Sequence, residues 1–75
     1  MNQRYVPHQM LADDVARVIT PRGIEVWVRV KASRRYKCEV TGRRIKPGEF
    51  VWRSTVLPTP PGRVCDAVIS QLRLL

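Results

Sequence analysis

The stretch from Ile24 to Lys31, IEVWVRVK, constrains the fold more than any other feature of the chain, because its side chains alternate strictly between two classes. Ile24, Val26, Val28 and Val30 share one parity, and Glu25, Trp27, Arg29 and Lys31 share the other. Successive side chains of an extended strand point to opposite faces, so a period of two over eight residues reads as a half-buried β-strand. Parity predicts that the four branched residues face the core. It leaves Trp27 on the polar face between Glu25 and Arg29, where an exposed indole beside arginine is suited to stacking on a base or anchoring a partner.

The segments around this strand follow from turn and period signals. ASRR is a turn, and RYKCEV alternates again, with Tyr36, Cys38 and Val40 inward and Arg35, Lys37 and Glu39 outward. TGRRIKPGE carries two turn signals around Ile45, and Phe50 to Leu57 is rich in β-branched and aromatic residues, a third strand. PTPPG breaks the sheet. Thr59 before Pro60 reads as an N-cap, and Val64, Val68, Leu72 and Leu75 then form a helical stripe with Cys65 and Ile69 beside it. Near the start, Leu11, Val15, Val18 and Ile19 fall at helical spacing, with Asp13 and Asp14 early, which predicts a helix from about His8 to Ile19. A competing reading makes Val15–Thr20 a strand that turns through TPRG into the next one.

The expected fold class is therefore α+β. It has a short N-terminal helix, a three-stranded antiparallel sheet containing a β-hairpin, and a C-terminal helix packed on the sheet. Seventy-five residues make one small domain, with residues 1–7 read as a loose arm. At 44% hydrophobic and 27% charged the composition is that of a folded globule, which excludes a disordered tail. A core this small is often supplemented by a metal, a disulfide or a second subunit, so a homodimer belongs among the expectations.

Charge narrows the class of partner. Between Arg29 and Arg53 lie nine basic residues against Glu39 and Glu49, so this third of the chain holds +7 of its net +8. Such a field attracts polyanions: nucleic acid, or an acidic protein surface. The candidate contacts are Trp27, Arg29, Arg34, Arg35, Lys37, Arg43, Arg44, Lys46 and Arg53. No apolar run reaches the roughly 18 residues of a membrane span, so no membrane partner is expected. The opening MNQRYVPHQM has no apolar h-region, which makes a cytoplasmic, reducing setting the expectation.

Cys38 with Thr41-Gly42 after it, the I-x-P-G-E bend from Ile45 to Glu49, and Cys65 opening a helix together resemble a treble-clef zinc finger over residues 37–75. The resemblance implies a zinc-finger-like hairpin followed by a helix, with the two sulfurs near each other. In that family, ligands come in pairs three residues apart, because tetrahedral zinc needs four converging donors. Here the places three residues from Cys38 and Cys65 hold Thr41, Gly62 and Val68. A complete metal site would need Cys38, Cys65 and His8 with a carboxylate such as Asp66. The residues themselves favour the two cysteines as small buried hydrophobes, so the expectation is this fold without zinc or any other cofactor.

Nothing in the chain has the makings of a catalytic centre. His8 is the single histidine, Asp13 and Asp14 are adjacent and do not share a helix face, and the glycines open no phosphate-cradling helix. A non-enzymatic nucleic-acid-binding module is the leading expectation, and a small basic regulator docking on an acidic surface is the alternative.

Overall fold

The alternating strand is present, and it is the centre of a larger sheet than expected. In the computed structural model, which describes residues 4–74, the elements are β1 (Val6–Ala12), β2 (Val15–Thr20), β3 (Gly23–Lys31), β4 (Tyr36–Lys37), β5 (Arg44–Ile45), β6 (Phe50–Ser54), β7 (Arg63–Cys65) and α1 (Asp66–Ser70), closed by a 3-10 turn over Gln71–Leu74. Five strands form one antiparallel sheet in the order β1-β2-β3-β6-β7, and β4 and β5 pair as a separate two-stranded ribbon. The molecule is mostly β, which corrects the expected α+β layout.

The predicted N-terminal helix does not form. Its residues make β1 and β2, with Asp13 and Asp14 in the turn between them. The physical reason lies in Val15, Val18, Ile19 and Thr20: four β-branched side chains in six residues lose rotamer freedom in a helix and gain it on a pleated surface. The competing hairpin reading of this segment is the observed one, with Thr20 and Gly23 closing the β2–β3 turn. The loose-arm reading fails for the residues that are described, because Tyr5 is buried edge-on against Trp27 at 5.7 Å and Val6 opens β1. The C-terminal helix is also shorter than predicted: Arg63–Cys65 adds an edge strand to the sheet before α1 begins.

Parity in β3 holds, but the faces are inverted. Trp27 is fully buried, whereas Ile24 is 62% exposed and Val26 38% exposed. The register sets Trp27 opposite Ala16 and Ser54, and Trp52 opposite Arg29 and Val64, so both indoles lie on one face of the sheet. Burying two tryptophans removes more apolar area from water than burying a row of valines, which decides which face turns inward. The polar neighbours on that face do not oppose burial because each is neutralised in place. Trp27 Nε1–H donates to Glu25 at 3.2 Å, and Glu25 is clamped bidentately by Arg22 at 2.8 and 3.1 Å. Trp52 Nε1–H donates to Asp66 at 2.9 Å, and Asp66 is clamped by Arg29 at 2.9 and 3.0 Å. The same indole–carboxylate–guanidinium unit thus occurs twice in the core.

At its β6–β7 end the opposite face is covered too. Val51 pairs with Cys65, and the loop that follows β4 lies against them through a bridge between Cys38 and Arg63. Gly62 sits just before this junction with no room for a side chain, since a Cβ there would meet Tyr5 Oη at 2.8 Å.

Candidate functional site

The ribbon that carries the predicted basic site is built by local backbone chemistry. Cys38 N–H donates to the Arg43 carbonyl at 2.8 Å, and Gly42 N–H donates to the Cys38 carbonyl at 2.9 Å. Gly42 adopts a φ of 76°, in the left-handed region where only glycine is unstrained. This tight turn folds β5 back on β4, so that Tyr36 lies opposite Ile45 and Lys37 opposite Arg44. Ile45 is buried and Tyr36 half-buried, which turns the other parity outward. Arg35, Lys37, Arg44 and Lys46 are all exposed, and together with Tyr36, Ile45 and Pro47 they line one open groove of about 730 Å³.

These four cations have no carboxylate within ion-pair distance among the described residues. The ion pairs present are Arg22–Glu25, Arg29–Asp66 and Arg43–Glu49. Glu49 is fixed at the end of the ribbon, accepting from the Lys46 amide at 2.8 Å and from Arg43 at 3.0 Å. The Lys46 amide first, and then Arg43, hold its carboxyl below the usual range.

The remaining predicted contacts divide into other roles. Trp27 is inside the core and touches no solvent. Arg29 is bound to Asp66, and its guanidinium lies 3.6 Å above the Phe50 ring. Arg34 lies 5.3 Å from the Tyr36 ring centre, and Arg63, absent from the sequence-based set, lies 4.8 Å from it. Arg53 is half-buried and donates to the Ser54 carbonyl. Of nine candidates, the groove gathers Arg35, Lys37, Arg44 and Lys46. The signal that could have separated them was the strand parity of RYK against RIK.

Beneath the ribbon lie the two cysteines, both buried and free. Cys38 Sγ accepts the amide of Cys65 at 3.3 Å and that of Thr41 at 3.4 Å. Thr41 Oγ1 stands 3.9 Å from Cys65 Sγ. Burial pushes the Cys38 thiol up, but the Cys65 amide, the Thr41 hydroxyl and amide and the Val40 amide together outweigh it and hold the group below the ordinary thiol range. Burial, and then the neighbouring Cys38 sulfur, push the Cys65 thiol up. The residues do not fit zinc. His8 is exposed on β1, and among the described residues no group of three or more His, Cys, Asp or Glu gathers as a metal site.

No helix among the described residues is long and apolar enough to cross a membrane. Comparison with protein-family models, with curated proteins and with solved structures finds no match to this chain.

Proposed function

We propose that this chain is a non-enzymatic, sequence-tolerant nucleic-acid-binding module that lays the β4–β5 ribbon along a phosphate backbone. The observation that carries this reading is the placement of Lys37 directly opposite Arg44, flanked by Arg35 and Lys46, with no carboxylate within ion-pair distance of them among the described residues. Like charges directly opposite on paired strands cost roughly 0.2–1 kcal/mol. Solubility would be served by scattered charges. A cluster that works against stability is supported by a polyanion that neutralises it.

The aromatic residues favour a duplex over a single strand. Single strands are held largely by bases stacked on free rings. Here Trp27 and Trp52 are fully buried, Tyr5 is buried, Phe50 lies under Arg29, and Tyr36 has Arg34 and Arg63 over it. Cations beside rings that already carry guanidinium groups are suited to phosphates, which position a protein on a duplex but carry no sequence information.

The test is a titration of the protein with labelled duplex DNA, duplex RNA and single strands at about 50 and 200 mM salt. Four neutralised phosphates give a slope of log affinity on log salt of about −3.6, so affinity for a duplex falls about 150-fold over that range. Equal or tighter binding of single strands overturns the duplex reading. Absence of binding to every nucleic acid even at the lower salt overturns the proposal and directs attention to an acidic protein face as the partner.

A further inference from the structure

The ribbon proposal leaves the buried sulfur pair unused, yet its geometry is that of a ligand set. Cys38 projects from the tight turn after β4, and Cys65 from the β7–α1 junction; the Cys38 sulfur lies against the Cys65 amide, and Thr41 touches both sulfurs, its amide 3.4 Å from one and its hydroxyl 3.9 Å from the other. Cys38 Sγ accepts two backbone N–H bonds, at 3.3 and 3.4 Å. Amide donors on sulfur are the outer-shell partners that stabilise a metal-bound thiolate and fix its direction. Both residues are almost completely buried, at 2% and 1% exposure.

We propose that Cys38 and Cys65 form a two-coordinate site for a soft monovalent metal ion of the Cu(I) class. The disagreement with zinc is what selects the ion. Tetrahedral zinc needs four donors. The positions three residues on from these cysteines hold Thr41, whose hydroxyl is a hard donor, and Val68, which has none and packs against the core. A divalent ion here would lack two of the four donors it needs from the protein. A monovalent ion with d¹⁰ configuration is satisfied by two thiolates, and soft thiolates select it over hard ions. Two protons leave as the ion enters. Two thiolates and one monovalent cation leave a single negative charge, facing the two amide donors and the Thr41 hydroxyl.

The experiment presents Cu(I) to the reduced protein, without oxygen, as its coloured bicinchoninate complex. The chain is expected to withdraw one Cu(I) per molecule. Loss of an outer-shell partner costs a metal site about 10- to 100-fold, so Cys38→Ser and Cys65→Ser, which each remove a ligand, should lose more than about 100-fold in affinity. Thermal melting of the wild-type chain decides the matter independently of those variants, should either fail to fold. An ion held by the folded site raises Tm, by on the order of 10 °C when it stands at about 100 times its dissociation constant. An unchanged or lowered Tm means that the ion binds the thiols of the unfolded chain equally well, and overturns the proposal. So does a stoichiometry of two chains per copper, or an equal rise in Tm with Zn²⁺.

Discussion

Two regions of this molecule use the same side chains to opposite ends. On the tryptophan face of the five-stranded sheet, Arg22 and Arg29 are each spent on one carboxylate, which in turn accepts an indole N–H. On the β4–β5 ribbon, Arg35 and Arg44 stand beside two lysines with no carboxylate partner among the described residues. Arginine is suited to both tasks, because its planar fork binds a carboxylate or a phosphate with equal geometry. The difference lies in what the backbone brings within reach. A count of basic residues along the chain therefore overstates the unpaired positive surface: Arg29 and Arg43 contribute to the charge total but are held by Asp66 and Glu49.

The contrast is tested most severely in β3. Trp27→Ala should cost about 3–5 kcal/mol, whereas Ile24→Thr, three residues away on the opposite face, should stay within about 0.5 kcal/mol. Urea denaturation of the two variants reads both values, and similar losses would mean that the tryptophan face is not the core. Next in size is Asp66→Ala. It leaves the Arg29 guanidinium without its anion and the Trp52 N–H without an acceptor, for an expected loss of about 2–3 kcal/mol, with little change in duplex affinity.

Acid should act on both regions, through Asp66 and Glu25 in the first and through Glu49 at the end of the ribbon in the second. Arg29 holds the Asp66 carboxyl below its usual range, and Arg22 does the same for Glu25. A folded-state pKa below the unfolded value means that the associated stability is complete above the unfolded value of about 4 and is lost as pH falls through the lower folded one. Stability measured from pH 6 down to pH 3 should decline, and less steeply in Asp66→Asn than in the wild-type chain. An identical acid profile in that variant would remove Asp66 from the account. The smallest effect on stability, and the most informative for binding, comes from Lys37→Ala with Arg44→Ala. Removing this like-charge pair should leave stability unchanged or raise it by up to about 1 kcal/mol, while the salt slope for duplex binding falls from about −3.6 to about −1.8. An unaltered slope would take the ribbon out of the interface.

Much of this was legible in the sequence, though unevenly. The period of two in IEVWVRVK identified the central strand, but parity alone does not say which face is inside. That was decided by the partners of Glu25 and Arg29, and Asp66 lies 37 residues from Arg29. The first hairpin was hidden because Leu11, Val15 and Val18 satisfy a helical spacing by coincidence, while β-branching in VARVIT argued for a strand. The ribbon was better read: the outward parity of Arg35 and Lys37 holds, and its turn follows from Thr-Gly. The closing helix was overestimated because the apolar residues of RVC fit a helical stripe as well as an edge strand. For residues 1–3 and 75, any expectation lies outside the described residues.

The sheet's first strand has a consequence for the behaviour of this protein at high concentration. β1 pairs on one side with β2 and has no sheet neighbour on the other among the described residues, while Ile19, Ile24 and Val26 are exposed. An open edge next to apolar surface is the usual starting point for strand-to-strand polymerisation. Here the register of β1 slips twice, between Pro7 and Gln9 and again between Met10 and Ala12, and Pro7 has no N–H to offer. An incoming strand meets a row of donors and acceptors that is out of step with its own. That irregularity, together with the net charge of +8, works against the addition of further strands at this edge.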